Sequence, residues 1–179
     1  MKHLIKTIGL ALAIAFSTTT AQAMDIKPYI GVGVGAFTLS SVNTTHFSYQ
    51  GQVGVDIGDL FGLELRYGQT TESEYVDAIS TTKIKASYFS YLAKIRGQTS
   101  NLEFYGLIGG TSGQVKQAIS TPNVIFVATG TPNLKTTENS FSAGAGVDYK
   151  IQDALSIGVE YMHYFKDANG YTANFKYSF

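Results

Sequence analysis

Alternation of apolar and polar residues with a period of two dominates this 179-residue chain, and it is clearest at the C-terminus. The odd-numbered positions from Tyr171 to Phe179 are apolar and mostly aromatic, whereas the even-numbered positions from Thr172 to Ser178 are polar. These two sets fall on opposite faces of an extended strand. An aromatic strand left unpaired at the edge of a sheet promotes aggregation. The pattern therefore predicts a strand that closes a sheet by pairing with another strand, and the partner we expect covers residues 27–38.

The same alternation predicts eight strands after residue 24 and indicates no helix. In the first half of the fourth strand the apolar residues Ile84, Ala86 and Tyr88 occupy even-numbered positions, whereas in the second half the apolar face has odd numbers. A β-bulge between the two halves would explain this change of phase. The fifth strand is unclear because residues 104–108 are apolar in both phases. The predicted strands cover residues 27–38, 46–57, 61–69, 83–96, 102–112, 139–151, 155–165 and 170–179.

Most predicted strands have one face rich in Gly, Ser, Gln, Asn and charged residues, which is unsuited to the core of a water-soluble protein. The same face suits the interior of a small barrel whose apolar outer face contacts lipid. Short connectors at 58–60, 97–101 and 152–154 alternate with longer ones at 39–45, 70–82, 113–138 and 166–169. Membrane barrels alternate short periplasmic turns with longer external loops in this way. The sequence thus predicts an all-β fold, an eight-stranded antiparallel up-and-down transmembrane β-barrel.

The N-terminal segment has the features of a cleaved secretory signal. A basic start is followed by an apolar run from Thr7 to Phe16 and by Ala21-Gln22-Ala23, an A-x-A cleavage pattern. We therefore expect a signal peptide over 1–23 and one barrel domain over 24–179. Without Lys2 and Lys6 the charge changes from 13 positive and 13 negative to 11 and 13, a net of −2, which offers no basic patch for nucleic acid. The absence of Cys excludes disulfides and a Cys-linked lipid anchor.

Together these segments resemble the small eight-stranded outer-membrane β-barrel family that includes the OmpA transmembrane domain, OmpX and the opacity proteins. The resemblance lies in residues 29–35, 144–149, 155–161 and 177–179 and extends over the whole mature chain. It implies a location in the bacterial outer membrane, surrounded by outer-membrane lipid. It also implies that the barrel-assembly machinery reads the closing strand, through an assembly signal formed by Tyr171, Phe175, Tyr177 and Phe179.

Charged residues on the inward phase form the main polar feature of the predicted interior. In a narrow lumen, charges of both signs must pair with one another, and eight strands leave an interior that side chains just fill. We therefore expect a structural charge cluster, in which Glu64, Arg66 and Glu160 belong to one group, although a thin ion path is an alternative. The cluster contains Asp56, Glu64, Arg66, Lys94, Arg96, Asp148, Glu160 and Lys176, and Lys150 and Asn174 share its phase.

Catalytic and metal chemistry have weak candidates in this sequence. His46 and Ser48 form the only His-x-Ser, but their phase places them inward at the outer rim, without an acid to orient the imidazole. Three histidines and no cysteine make a transition-metal site unexpected, and no glycine run is suited to binding phosphate. We expect no enzyme activity and no cofactor.

The predicted external loops are the expected place for a partner. In the connector 113–138, Val124, Ile125, Phe126 and Val127 form an apolar patch between two turn signals, either a hairpin above the membrane or a packed strand extension. The function we expect is that of a non-enzymatic surface protein, with an envelope-structural role or an adhesive role towards a host or cell-surface ligand. The alternatives are a narrow porin-like channel, a lipid A-modifying enzyme and a water-soluble lipocalin-like barrel.

Overall fold

Nine β-strands make up the described part of the chain in the computed structural model. The structure describes residues 25–39, 44–76, 81–120, 133–165 and 168–179. In these ranges the strands are β1 (Ile26–Leu39), β2 (Thr44–Ile57), β3 (Phe61–Thr70), β4 (Ser73–Val76), β5 (Thr81–Thr99), β6 (Leu102–Ser120), β7 (Asn133–Gln152), β8 (Leu155–Phe165) and β9 (Ala168–Ser178).

The strands form a closed antiparallel barrel with eight positions around its circumference. Strands β3 and β4 both pair with β5 and occupy one position, because only residues 71–72 separate them. Each remaining strand pairs with its neighbour in sequence, and β9 pairs with β1 from Tyr29–Ser178 to Leu39–Ala168. Closure leaves no free edge around the ring, which is the requirement in lipid. The predicted fold and the predicted role of the last strand in closing the sheet are confirmed.

The two ends of the barrel differ in their connections. One end, here called the turn end, has the tight turns at 58–60, 100–101 and 153–154, in which Gly58 and Ser100 have positive φ angles of 61° and 51°. Both ends of the described chain lie there too, because the Phe179 amide donates to the Pro28 carbonyl at 3.0 Å. The opposite end, called the loop end, has the connections 40–43, 77–80, 121–132 and 166–167, of which the first three are longer than any turn at the turn end.

Three sequence predictions about the strands and their connectors are wrong. Strand β5 has no bulge, since its register with β6 runs without a break from Thr81–Ser120 to Thr99–Leu102. Ala86 and Tyr88 point inward like the rest of the inward phase, and Tyr88 belongs to a hydrophobic cluster that fills part of the interior at that height. The connector predicted at 113–138 is also too long, because β6 continues to Ser120 and β7 begins at Asn133. Strand β4 likewise lies inside the connector predicted at 70–82.

The outward surface of the barrel is apolar and uncharged over most of its height. Exposed outward side chains include Val32, Phe61, Tyr91 and Phe141. Between the turn end and the row formed by residues 87, 114 and 137, no outward position of the described strands carries Asp, Glu, Lys or Arg. An apolar band bounded by aromatic residues is the surface that a lipid bilayer solvates.

Inward tyrosines lie against glycines on the neighbouring strands. Tyr88 is directly opposite Gly68, and a Cβ atom added to Gly68 would overlap the Tyr88 ring. The pairs Tyr29–Gly54 and Tyr105–Gly146 repeat this arrangement on other strands. Each glycine thus provides the space that lets a large ring lie flat across the lumen.

Candidate functional site

Four charged side chains form an alternating group near the turn end of the interior. Asp56 forms an ion pair with the Lys94 Nζ at 2.6 Å and accepts a hydrogen bond from the Arg96 Nη1 at 2.6 Å. Glu103 lies on the other side of the same cations, 3.4 Å from the Lys94 Nζ and 3.0 Å from the Arg96 Nη1. The Arg96 Nη2 donates to the Gly58 carbonyl at 3.0 Å, which ties this group to the first tight turn.

A second ion pair and two aromatic rings extend this group towards the middle of the barrel. Lys176 lies 2.8 Å from Asp148. Its ammonium group is 4.4 Å from the centre of the Tyr105 ring, and the Lys94 ammonium is 4.5 Å from the Tyr29 ring. Cations above aromatic faces are attracted by the ring quadrupole, most strongly when desolvated. The lysines are therefore compensated both by carboxylates and by aromatic rings.

The middle of the barrel is filled by one arginine between two glutamates. The Arg66 Nε donates to Glu64, and its two terminal nitrogens donate to Glu160, one of them at 2.7 Å. The Tyr29 hydroxyl donates to Glu64 at 2.5 Å, and the Tyr105 hydroxyl lies 3.1 Å from Glu160. The contact between Arg66 and Glu160 is bidentate, with each terminal nitrogen donating to a different carboxylate oxygen. Bidentate pairs are the strong form of an arginine–carboxylate contact.

Side chains without charge close the interior towards the loop end. Gln50 accepts from the Tyr88 hydroxyl at 2.8 Å and from the Tyr164 hydroxyl at 3.3 Å. The rings of Phe37, Tyr88 and Tyr164, here called the aromatic cap, pack with centroid separations of 4.7–5.7 Å. Leu92, Tyr105, Leu107, Met162 and Ala168 complete the hydrophobic cluster around the cap. Polar side chains, including Gln50, Ser90 and Thr111, are buried at the same height. The upper interior is therefore uncharged and only partly polar, whereas the sequence predicted a polar inward face for most strands.

The structure brings the predicted interior charges together in these two groups. All eight are 1–8% exposed, and Lys150, half-buried at the turn end, donates to Gln98 at 2.6 Å. Sequence reasoning missed Glu103, Tyr29 and Tyr105. Glu103 is two residues before Tyr105 and four before Leu107, which are both inward, and that spacing was the available signal.

The interior opens to solvent at the turn end. A cavity of about 580 Å³ lies between the charged groups and the tight turns. Lys27, Asp59, Lys150 and Asp153 line its mouth, and Asp56 and Lys176 line its inner wall. Side chains of both signs surround this space, so it has no strong preference for cations or anions.

A sheet extends beyond the barrel rim at the loop end. Strands β5, β6 and β7 pair as far as Thr81–Ser120 and Ala118–Asn133, whereas the β7–β8 ladder begins at Ala143–His163. No β8 partner is described for residues 133–141 of β7, and Ser142 contacts β8 through its hydroxyl, which donates to the Tyr164 carbonyl at 2.8 Å. The nine residues 133–141 correspond to roughly 30 Å of strand. The part of β7 above the rim thus has one paired edge and one edge without a described partner.

The His46–Ser48 pair, for which the sequence predicts no catalytic role, and the predicted assembly signal differ in accessibility. His46 and Ser48 are 3% and 5% exposed inside the barrel. The four assembly-signal side chains, Tyr171, Phe175, Tyr177 and Phe179, are exposed on the outer surface of β9 and at its end. Val124, Ile125, Phe126 and Val127 lie outside the described residues, as do residues 1–24.

Metal sites and helical membrane spans have no candidates in the part of the chain that is described. No group of three or more His, Cys, Asp or Glu side chains there is placed to hold a metal ion. No helix in the same ranges is long and apolar enough to cross a membrane.

Comparison with known proteins identifies similar barrels. The family model described as "outer membrane protein beta-barrel domain" matches residues 8–179. The structure of Ail, the attachment invasion locus protein of Yersinia pestis, in complex with the heparin analogue sucrose octasulfate superposes with a TM-score of 0.56 at 15% identity, covering 88% of this chain and 100% of that one. No curated protein matches the sequence.

Two further solved structures share the fold. Neisserial surface protein A superposes with a TM-score of 0.58 at 14% identity, covering 86% of this chain and 97% of that one. A major outer membrane protein from Thermus thermophilus gives 0.60 at 12% identity, covering 87% and 100%. At these identities the likeness concerns the fold alone.

Proposed function

This chain belongs to the outer membrane protein beta-barrel domain family and lies in the bacterial outer membrane, and on that premise we propose that it is a non-enzymatic surface protein that binds an external partner through its loop end. In such barrels the short turns face the periplasm and the longer connections face outward. The loop end of this chain is then extracellular, and the sheet of β5, β6 and β7 rises from the cell surface.

One observation carries this proposal: residues 133–141 of β7, above the rim, have one edge for which no paired strand is described. Backbone groups along an open edge can pair with an incoming strand, and the side chains of alternate residues then select the partner. A barrel with only an envelope-structural role has no need of strands this long, because about 10 residues suffice to cross the membrane. An adhesive role is therefore favoured over a purely structural one.

Removal of the protruding sheet tests the adhesive role. Gly113 and Glu138 are directly paired, so replacement of residues 114–137 by Asn-Gly closes the hairpin at the rim with a two-residue turn. Bacteria expressing this variant should lose binding to cultured epithelial cells and to immobilised heparin, which is included because Ail was solved with a heparin analogue. The matched control replaces residues 166–167 by Asn-Gly, which alters a loop of the same end and leaves the sheet intact. Unchanged binding by the truncated protein, at equal surface levels, contradicts the proposal.

The interior geometry supports a closed barrel over a channel. A side chain that lines a water-filled lumen keeps accessible surface, yet Arg66 and Tyr164 are each 1% exposed and Phe37 is 2% exposed. Arg66 lies in the charged middle of the barrel, and Phe37 and Tyr164 lie in the aromatic cap, so the lumen is filled at two heights. Ion flow would require both layers to rearrange, and the buried charges, five negative and four positive among the described residues, nearly cancel.

Burial of the His46–Ser48 pair supports a role without catalysis. A nucleophile needs access to its substrate and a base that is itself oriented, whereas both side chains here face the lumen under the rim. Expression of the protein should leave the mass of lipid A unchanged. A mass shift that disappears in Ser48→Ala would show an enzyme instead.

A further inference from the structure

Four side chains form a hydrogen-bonded and stacked group on β8 and β9 near the loop end. The Asn169 Oδ1 accepts from the Tyr161 hydroxyl at 2.9 Å and lies 2.7 Å from the His163 Nδ1. His163 is directly opposite Asn169, and Tyr161 is directly opposite Tyr171, with 5.0 Å between the centres of the two rings. We refer to Tyr161, His163, Asn169 and Tyr171 as the outward cluster.

The outward cluster lies on the lipid-facing surface of the barrel. Tyr161 is 40% exposed and Tyr171 is 63% exposed. His163 and Asn169 are partly exposed and lie in the same phase of their strands as these two rings. The residues on both sides of each in the sequence are buried in the lumen, so alternation points His163 and Asn169 outward.

The depth of the cluster is that of the interface of the outer leaflet. Tyr161, Tyr171 and Phe141 are exposed rings on the loop side of the barrel, and such rings mark the boundary between hydrocarbon and headgroups. His163 and Asn169 are each two residues closer to the loop end than the ring on their own strand. At about 3.3 Å per residue and a tilt of about 45°, they lie roughly 5 Å above these rings. Their polar atoms are therefore level with the lipid headgroups.

The hydrogen bonds of the cluster determine which atoms it offers to a ligand. The Asn169 Oδ1 can only accept, so the His163 Nδ1 donates to it, and the neutral imidazole then has its lone pair on Nε2. Among the described residues, the His163 Nε2 and the Asn169 Nδ2 have no protein partner. The cluster thus presents one acceptor and one donor group side by side, next to an exposed aromatic ring.

This combination suits a sugar ring better than a phosphate or an ammonium group. One sugar hydroxyl can donate to the His163 Nε2 while another accepts from the Asn169 Nδ2, whereas a phosphate oxygen only accepts and an ammonium group only donates. The exposed ring of Tyr171 adds a flat apolar surface against which the C–H face of a sugar can pack. The described strands carry no charged outward side chain in the apolar band below, so no charge there favours an ionic ligand.

We propose that the outward cluster binds the sugar headgroup of a glycolipid in the outer leaflet. Its hydroxyl groups donate to the His163 Nε2 and accept from the Asn169 Nδ2, and its ring packs on Tyr171. The depth of the cluster distinguishes this ligand from a glycan of another cell, which would meet the rim and the open edge of β7 first. This site is separate from the adhesive role proposed above and does not depend on it.

Native mass spectrometry of the purified protein with three lipids tests the chemistry of the ligand. The lipids are bis-phosphorylated lipid A, dephosphorylated lipid A, which keeps the sugar headgroup, and phosphatidic acid, which has a phosphate and no sugar. Wild-type protein should bind both forms of lipid A with similar affinity. It should bind phosphatidic acid about 10-fold more weakly, because each of the two lost hydrogen bonds contributes about 3-fold or more.

Two double variants test the location of the site. His163→Phe/Asn169→Leu should bind dephosphorylated lipid A about 10-fold more weakly than wild type, because it loses the same two hydrogen bonds. The matched control, Tyr67→Phe/Gln69→Leu, removes two polar groups from another outward group on the loop side. There the Gln69 amide already donates to the Tyr67 hydroxyl at 2.6 Å and accepts from the Tyr49 hydroxyl at 3.3 Å, so the control should keep wild-type affinity.

A pair of single variants tests the aromatic surface. Tyr171→Phe keeps the ring and should bind dephosphorylated lipid A as wild type does, whereas Tyr171→Leu keeps only an apolar side chain and should bind it more weakly. Equal affinities of these two variants would contradict packing of the sugar on the ring. Far-UV circular dichroism of each variant in detergent should report the same strand content, so that a folding defect is distinguished from a binding defect.

Four results would overturn the proposal. Equal binding of dephosphorylated lipid A by wild type and by His163→Phe/Asn169→Leu excludes the outward cluster, and equal losses in both double variants reduce the effect to surface polarity. Binding of dephosphorylated lipid A by wild type as weak as that of phosphatidic acid identifies phosphate as the ligand. Displacement of lipid A by a heparin oligosaccharide identifies a soluble host glycan instead.

Discussion

Replacement of Arg66 by methionine should be among the most damaging single changes in the barrel interior. The side chain is 1% exposed and donates to both Glu64 and Glu160. Methionine removes the charge and keeps most of the volume, so two carboxylates remain buried without a cation between them. Breaking a buried ion pair by removal of one partner costs about 3–5 kcal/mol, and we expect a loss in that range for Arg66→Met.

Equilibrium unfolding in urea with detergent micelles measures this effect. The chain has no tryptophan, so far-UV circular dichroism and the mobility difference between folded and unfolded protein on gels are the suitable signals. A triple variant, Glu64→Gln/Arg66→Met/Glu160→Gln, serves as the control because it removes all three charges together. Its glutamine oxygens can still accept from the hydroxyls of Tyr29 and Tyr105, which donate to the glutamates in the native protein.

The triple variant should recover at least about 2 kcal/mol of the free energy of unfolding lost in Arg66→Met, because uncompensated charge costs more than an unsatisfied amide. A loss below about 1 kcal/mol in Arg66→Met would refute the reasoning, because it would mean that water reaches the carboxylates. A triple variant no more stable than Arg66→Met would show that packing, and not charge, sets the cost.

Three further expectations follow from other parts of the barrel. Deletion of Phe179 should reduce the amount of protein in the outer-membrane fraction, since this residue belongs to the proposed assembly signal. Phe61→Ala, at another exposed ring of the turn end, should not reduce it, and normal levels without Phe179 argue against that signal. Gly68→Ala should lower the free energy of unfolding by about 1–3 kcal/mol, because the added methyl group overlaps the Tyr88 ring. Gly51→Ala, with open space around the added methyl group, should change it by less than about 0.5 kcal/mol. Equal urea midpoints for the two variants would contradict this expectation. The purified protein should give no stepwise currents in planar bilayers because the aromatic cap closes the lumen, and steady conductance steps would contradict that closure.

The faces of the strands could be predicted from the sequence because membrane and lumen impose opposite demands on alternate residues. Val32, Tyr91 and Phe141 are outward, and Glu64 and Lys176 are inward, as their phase predicts. The prediction is robust where one phase is wholly apolar and the other polar. In this chain that condition holds for the turn-side part of the barrel, where the interior is charged.

The same rule fails where hydrophobic side chains fill part of the interior. Tyr88 of the aromatic cap and Leu107 next to the cap point inward, so both phases of their strands look hydrophobic at that height. The apparent phase change in β5 and the ambiguity of β6 both come from this. Glu103 was missed for the same reason, although one more step along the inward phase from Tyr105 reaches it. The alternation predicts the side that faces lipid, and it cannot predict how a lumen divides into charged and apolar layers.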